Sequence, residues 1–421
     1  MNALHRIYTI IGAWILFHAY TVYGLVNIFR PYDMMLRPYV DYETETVQAY
    51  VTLEGGIGAA SAWDSEGKVA SPLSIWFQVQ RCLQMLEGFS PSAAPTQLLT
   101  KIDANNAGTR GDMCINAPLY LDVAGAGVMR YFFLEQCAVS VYLPFYRYRL
   151  ADLCLVDLTP NENPPSPQDF RVKEFLTGDI QQAVLDVGCF ELCEWERTGL
   201  GDITFFIDWQ RVFPQAKQFL KSVMVALRIG LTAPSGKQAD PDLVFAFPFG
   251  YNGMWSIPFG FTLETLFGYH WYVGFDVELT QIFGNAVSQR IHTAHGQTDL
   301  MFMEKARVYY DPGLEQQYSV YVGMRDLPEG LNIRAVYQYR KHNHDVISPF
   351  GNCVNSAIAN EAVSLQDSTL HTAIVRVDYD FSVLMDEPCV SPQLELFARI
   401  PFNGKRSVGN TTIGFAITID F

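Results

Sequence analysis

Polar and apolar residues alternate without a break over the last ten positions of the chain. The apolar positions are Ile413, Phe415, Ile417, Ile419 and Phe421, and the residues that separate them are Gly, Ala, Thr and Asp. Successive side chains of a β-strand point to opposite faces. This period of two therefore predicts a strand over residues 411–421 with one apolar face.

The same period of two recurs along the chain and predicts twelve strands. Most are close to the roughly 9 to 11 residues that a tilted strand needs to cross a bilayer. They are predicted over residues 46–60, 114–124, 131–145, 201–210, 220–232, 254–266, 269–283, 317–325, 330–340, 370–381, 392–402 and 411–421. Fourteen strands is the alternative count.

The connections between these segments alternate between long and short. The long ones are 61–113, 146–200, 233–253, 284–316 and 341–369. The short ones are 125–130, 211–219, 267–268, 326–329 and 382–391. Membrane barrels have short turns at one rim and long loops at the other, and a soluble sandwich has no reason to sort its loops in this way. The pattern predicts an all-β, antiparallel transmembrane barrel.

Two long connections also contain helical periodicity. Residues 168–189 follow a Pro-rich stretch and carry apolar side chains near helical spacing, and residues 74–88 resemble them. We expect helical insertions in the long outer loops, packed on the mouth of the barrel or folded inward to narrow it.

The two faces of the predicted strands differ in chemistry. One face is apolar and is predicted to meet lipid, beginning with Ile115, Leu119, Leu121 and Val123. The other face is charged and is predicted to line the lumen of a pore. Its members are Asp122, Asp202, Asp208, Arg228, Glu264, Asp276, Glu278, Arg334, Arg376, Asp378, Glu395 and Arg399.

Those lumen charges have two interpretations. Charges inside a narrow barrel usually pair with one another, which would make them a structural ion-pair network. Alternatively, they form an acid-biased pore wall that prefers cations or handles polar solutes. Both hold together if the paired walls surround an open channel.

The start of the chain has a different character. Residues 1–24 combine Arg6 with an apolar run and small residues near Gly24, which predicts a secretory signal peptide, with a membrane-anchoring helix as the alternative. Residues 25–45 are then either a periplasmic lead or a partial plug of the lumen. The barrel itself is predicted over residues 46–421.

The terminal alternation ending on Phe421 resembles the C-terminal signature of Gram-negative outer-membrane β-barrel proteins. The resemblance implies that Phe421 is an assembly signal read by the barrel-assembly machinery, and that the protein lies in the cell outer membrane in contact with its lipid. In general architecture the chain is similar to porin-type and fatty-acid-transporter-type proteins. No motif selects either family.

Composition narrows the function further. Aromatic residues make up 14% and charged residues only 17% of the 421 residues, which suits many half-apolar strands. The net charge of −15 argues against nucleic acid as a partner, because phosphate binding needs clustered Lys and Arg. No glycine-rich phosphate cradle is found, and no cofactor is predicted.

Candidate chemistry is sparse. His342, His344 and Asp345 open a long loop and suggest a metal site, but a solvated loop tip is the favoured interpretation and no metal is predicted. The segment resembles the Asn-His-Asp stretch of outer-membrane phospholipase. However, the nearest following serine is Ser348, so the catalytic spacing is missing and no catalytic residue is predicted. Among the eight cysteines, a disulfide between outer loops is left open.

The function predicted from these patterns is a channel or transporter that passes small polar solutes across the outer membrane, and not an enzyme. The alternative is a closed structural or adhesive surface barrel that acts through its outer loops. A lipid hydrolase is the third and weakest hypothesis. Homo-oligomerisation is left open.

Overall fold

The computed structural model describes residues 32–37, 46–102, 111–134, 136–158, 180–301, 303–327, 330–351, 354–384 and 391–421. The predicted signal peptide lies outside the described residues, as does most of the predicted lead or plug. Within these ranges no helix is long and apolar enough to cross a membrane.

Twelve antiparallel strands form a closed barrel, which confirms the predicted fold class and strand count. They are β1 (Val47–Gly56), β2 (Leu119–Phe133), β3 (Cys137–Leu150), β4 (Ile203–Pro214), β5 (Leu220–Ala233), β6 (Ser256–Phe267), β7 (Trp271–Ile282), β8 (Glu315–Leu327), β9 (Leu331–His342), β10 (Ser368–Asp380), β11 (Ser391–Lys405) and β12 (Thr412–Asp420). Each strand pairs with the next along the chain, and β12 pairs with β1 to close the ring. Closure leaves no edge strand unpaired.

The two rims differ as the loop pattern predicted. At one rim, which we call the turn end, the connections are short, as in residues 134–136 and 268–270. At the other rim, called here the loop end, they are long except for residues 406–411, and residues 57–118 and 151–202 are the longest. The twelve barrel strands therefore run between a rim of short turns and a rim of mostly long loops.

One prediction at the second and third strands is wrong. Residues 125–130, predicted as a turn, lie inside β2, and the chain reverses at residues 134–136 instead. Gly125 is needed there for close packing, because a Cβ atom would lie 2.8 Å from the carbonyl oxygen of Thr52 on β1. Glycine marks a close approach between strands here and not a turn.

The strand faces separate apolar from polar side chains. Exposed apolar residues cover the outside of the barrel, among them Phe205, Ile229, Phe259, Val375 and Ile413. The inner face holds the buried polar and charged side chains. Alternation of an apolar exterior with a polar interior is typical of membrane barrels.

The first part of the predicted lipid face is wrong. Leu119 and Leu121 are buried inside, at 0% and 5% exposure, and Ile115 lies in a separate strand outside the barrel. A register shift between Leu121 and Val123 in β2 marks a bulge, which changes the face that each later residue presents. A period-two assignment fails across such a bulge.

The long connections fold together into a cap at the loop end. Short strands in the cap are Ser61–Trp63, Val69–Ala70, Gln80–Arg81, Asp112–Asn116, Cys154–Asp157, Trp195–Leu200, Asn285–Ile291, Glu304–Asp311, Val346–Pro349 and Ser407–Gly409. Its helices are Ala94–Ile102, Ile180–Gly188 and Ser356–Ala359, with 3-10 turns at Pro72–Ser74, Gln84–Leu86 and Val363–Leu365. A further 3-10 turn, Phe381–Leu384, lies at the turn end.

The cap has its own hydrophobic core. Leu73, Ile75, Leu86, Met113 and Phe249 are all at most 2% exposed and belong to one apolar cluster drawn from several loops. The predicted helix over 168–189 is present from Ile180 onward, and its earlier part lies outside the described residues. The helix predicted over 74–88 is replaced by two 3-10 turns and a two-residue strand.

Candidate functional site: the occupied lumen

A short piece of the N-terminal region lies inside the barrel. We call residues 32–37 the lumen segment. They form one 3-10 turn over Met34–Leu36. Met34, Met35 and Leu36 are at most 5% exposed. They pack in one apolar cluster with inward side chains of the wall, including Tyr50 and Phe206.

Asp33 begins the 3-10 turn and also binds the wall. Its side chain accepts a hydrogen bond from the backbone N–H of Met35 at 2.9 Å, which caps the turn. The same carboxylate contacts Arg340 of β9 at 3.2 Å and Arg399 of β11 at 3.1 Å. The loop-end half of the lumen thus holds the acidic end of the segment.

The other end of the segment carries the opposite charge. Arg37 makes a two-pronged ion pair with Asp208 of β4, with nitrogen to oxygen distances of 2.9 and 2.7 Å. Its backbone carbonyl accepts a hydrogen bond from Arg376 Nη1 at 2.6 Å. At the start of the segment, the Tyr32 hydroxyl donates a hydrogen bond to Glu278 Oε1 at 2.8 Å. Ionic and polar contacts on several strands therefore fix the six residues in the lumen.

The lumen segment has a cavity on each side. Tyr32, Asp33 and Leu36 line a cavity of about 110 Å³ toward the loop end, together with Glu54 and Arg399. A second cavity of about 90 Å³ is lined by Met34, Met35 and Arg37, together with wall residues nearer the turn end. The segment lies between two cavities, one toward each end of the barrel.

Ion pairs connect side chains of the inner wall, both within one strand and between strands. Arg228 of β5 contacts Asp276 of β7 at 2.8 Å and Glu278 of β7 at 3.3 Å, and the two carboxylates are 0% exposed. On the opposite wall, Arg376 contacts Asp378 at 3.1 Å and Glu395 at 3.2 Å. Buried charges of this kind are stable only when paired.

Two further arginines of the wall bind near the turn end. Arg325 pairs with Glu264 at 2.6 Å. Arg334 donates to the Tyr272 hydroxyl at 3.0 Å and lies over the Tyr321 ring. These contacts join β6, β7, β8 and β9 across the inner face.

Ten of the twelve predicted lumen residues lie on the inner face of barrel strands. They are Asp208, Arg228, Glu264, Asp276, Glu278, Arg334, Arg376, Asp378, Glu395 and Arg399. Most of them are buried against a partner or against the lumen segment and do not stand free in an open channel.

Asp122 is not in the lumen, which corrects the prediction. It lies on the outer wall at the bulge of β2, where it pairs with Arg147 at 3.5 Å and Arg149 at 3.6 Å. Asp202 precedes β4 at the loop end and accepts backbone N–H bonds from Gly236 at 2.7 Å and Tyr251 at 2.6 Å. Burial raises the pKa of Asp202 above its ordinary value, although these N–H donors oppose the shift.

Several lumen charges were missed from the sequence. Arg130 is 3% exposed on the inner face of β2, in the stretch that was predicted to be a turn. Asp33 and Arg37 belong to the segment for which a lead and a plug were equally favoured. The sequence signal for an inward Arg130 was its spacing of two from Phe132. Gly125 and Gly127 nearby suggested a turn and obscured that signal.

The sequence predicted a solvated loop tip for the segment with His342 and His344, and this prediction is wrong. His342 is 5% exposed and contacts Asp345 at 2.9 Å and Glu315 at 3.3 Å, so it belongs to a buried ion-pair cluster. Burial lowers the pKa of His344 below its ordinary value. In the part of the chain that the structure describes, no group of three or more His, Cys, Asp and Glu is arranged to hold a metal ion.

The terminal residue lies at the turn end. The Phe421 backbone N–H donates to the carbonyl of Val47 at 2.8 Å, and its ring is 55% exposed on the outside. Cys82, Cys114, Cys137, Cys154, Cys189 and Cys193 are free thiols. The disulfide that the sequence left open is therefore not formed among these six.

No protein-family model matches the chain, and no curated protein matches it. Solved structures resemble its fold. The outer membrane channel from Pseudomonas putida F1 has a TM-score of 0.49 at 11% identity, covering 91% of this chain and 100% of that chain. The CymD monoaromatic hydrocarbon channel has a TM-score of 0.31 at 10% identity, with 94% and 97% covered.

LpxR from Salmonella typhimurium has a TM-score of 0.28 at 9% identity, covering 89% of this chain and 100% of that chain. Likenesses this weak support no argument about a solute or a reaction. The closed barrel of twelve strands, with its apolar exterior and charged interior, has the architecture of outer-membrane β-barrel proteins, as the sequence resemblance predicted.

Proposed function

We propose that the protein is a passive channel of the outer membrane for small polar solutes and that the lumen segment closes it in this conformation. The observation that carries the proposal is the six-residue segment between two cavities, held mainly by side-chain ion pairs and hydrogen bonds. Water and ions can replace such contacts when the segment leaves. In a permanently closed barrel, apolar side chains of the wall could fill the lumen with equal or greater stability.

The exterior supports the membrane location. Apolar side chains cover the outside of most strands, and the aromatic residues Trp271 and Tyr337 are 53% and 44% exposed there. In water such a surface would be strongly unfavourable, whereas lipid accommodates it. Outer-membrane lipid and the barrel-assembly machinery, through Phe421, are the partners that this location implies.

The charges on the inner wall support the proposal that the solutes are polar and not apolar. Carboxylates and guanidiniums both line the inner face, so an open lumen would offer polar contacts to a solute. Arg130 also lies on this wall and reduces the acid bias that the sequence predicted, so the open lumen is of mixed charge.

The cap supports the alternative function. It has a hydrophobic core of its own, built from several loops, which suits a rigid surface scaffold that acts through its outer loops. A scaffold needs no open state of the barrel. Solute passage on release of the lumen segment therefore separates the two functions.

The test compares solute flux through proteoliposomes. A release variant, Tyr32→Phe with Asp33→Asn and Arg37→Gln, removes the polar anchors while preserving side-chain size. We expect proteoliposomes with this variant to swell rapidly in a small neutral sugar and those with wild-type protein to swell slowly.

The matched control is Asp122→Asn with Arg147→Gln, which breaks an ion pair on the outer wall. It should behave as wild type. If the release variant inserts with the heat-resistant mobility of a folded barrel and still admits no sugar, the channel proposal is wrong and the scaffold is favoured.

A further inference from the structure

The Asp33 carboxylate occupies a site that the barrel wall builds. Arg340 Nη2 and Arg399 Nη1 lie 3.2 and 3.1 Å from the same oxygen, Oδ2. Gln338 Nε2 lies 3.4 Å from the other oxygen, Oδ1. The Asp33 side chain is 3% exposed. Two guanidiniums and an amide around one carboxylate form a charge-assisted set of donors that recognises this group.

The wall holds both arginines independently of Asp33. Arg340 Nε donates to Gln317 Oε1 at 3.0 Å. Arg399 Nε lies 3.4 Å from Glu54 Oε2, and that same oxygen accepts a hydrogen bond from the Thr412 hydroxyl at 2.6 Å. Because these partners belong to β1, β8 and β12, the donors remain in place if the lumen segment leaves.

Removal of Asp33 alters the charge balance. While the segment is docked, Arg340 and Arg399 share the Asp33 carboxylate. Without Asp33, both guanidiniums lose this carboxylate, although their side chains are only 11% and 20% exposed. Loss of a shared carboxylate at such positions is unfavourable, so the site then favours an anion that replaces it.

The site also has room for a ligand. Asp33, Gln338, Arg340 and Arg399 all line the cavity of about 110 Å³ on the loop side of the segment. A solute that enters from the loop end would reach this cavity before it met the lumen segment. The space of the Asp33 side chain together with the cavity suits a small molecule with one carboxylate.

We propose that Gln338, Arg340 and Arg399 form a carboxylate-binding subsite of the channel and that Asp33 is a built-in mimic of the solute. A small carboxylate competes with Asp33 for the two arginines and so shifts the population toward the undocked segment. This inference names a solute class for the proposed channel and rests on that function.

The test measures acetate binding to the full chain refolded in detergent, by NMR titration with carbon-labelled acetate. Asp33→Ala should bind acetate about tenfold more tightly than wild type, because the arginines lose their internal competitor. Adding Arg340→Gln and Arg399→Gln to Asp33→Ala should abolish the gain. Glu66→Ala, which removes an exposed acid of the cap, is the matched control and should match wild type.

Two further probes test whether the site is specific for a carboxylate. Acetamide has nearly the shape of acetate without its charge and should not bind Asp33→Ala. Inorganic phosphate should bind more weakly than acetate. Equal acetate affinity in wild type, Asp33→Ala and the triple variant would overturn the proposal, as would phosphate binding as tight as acetate binding.

The binding assay does not depend on transport. Acetate binding that follows the expected order supports the subsite even if the release variant conducts no solute, in which case only the channel function fails. Conduction by the release variant without acetate binding to Asp33→Ala would overturn the subsite and leave the channel intact.

Discussion

Truncation of Arg37 should release the lumen segment. In Arg37→Ala the two hydrogen bonds to Asp208, at 2.9 and 2.7 Å, are lost between side chains that are 14% and 3% exposed. Breaking a buried ion pair by removing one partner costs about 3 kcal/mol or more. Since about 1.4 kcal/mol corresponds to a factor of ten, the undocked population should rise roughly a hundredfold.

Cysteine accessibility reports this population directly. Met35 is 3% exposed in the docked segment, so Met35→Cys in a cysteine-free background should react slowly with a maleimide. Adding Arg37→Ala should accelerate the reaction roughly a hundredfold, as the population shift requires. Arg147→Ala, which breaks an ion pair on the outer wall, is the control and should leave the rate unchanged.

A charge-retaining substitution tests whether the ion pair itself is responsible. Arg37→Lys should label more slowly than Arg37→Ala, because it retains a cation opposite Asp208. An unchanged labelling rate in Arg37→Ala would contradict the role of the Arg37–Asp208 ion pair in docking. It would mean that the apolar contacts of the 3-10 turn hold the segment and that the charges contribute little.

Three further outcomes follow from the fold. Deletion of Phe421 should block assembly, seen as loss of the heat-resistant folded band on a gel, and normal insertion would contradict the role of the terminal strand. Charge reversal at Asp276 and Glu278 together should destabilise the barrel by several kcal/mol, because Arg228 loses both partners; an unchanged melting temperature would contradict the ion-pair network. A single cysteine at Lys237 should be labelled from outside intact cells and one at Lys217 should not, whereas reversed labelling would show the opposite orientation.

The sequence predicts the strand count because the relevant signal is local. A period of two and the lengths of the connections are each contained in a few consecutive residues, so β4 to β12 are found within a few positions of their observed ends. The failure at β2 has a physical cause. Glycine is compatible with both a turn and a close approach between strands, and only the packing against β1 distinguishes them.

The lumen segment shows what local patterns cannot convey. Its six residues have no strand or helix periodicity, and their position depends on partners such as Asp208 and Arg399, which are distant in sequence. The alternation of β4 and β7 predicts that Asp208 and Asp276 point inward. It does not predict that Asp208 binds the N-terminal region while Asp276 binds Arg228 two strands away, because ion-pair partners depend on the closed barrel.

Single-channel conductance in planar bilayers measures directly whether the lumen segment closes the barrel. We expect wild-type barrels to be closed for most of the recording, and the release variant, Tyr32→Phe with Asp33→Asn and Arg37→Gln, to show long-lived openings of one unit conductance. Correctly inserted barrels of both proteins that give no openings at all would contradict a channel closed by its own lumen segment. Wild-type barrels as open as the variant would contradict the closing role of residues 32–37.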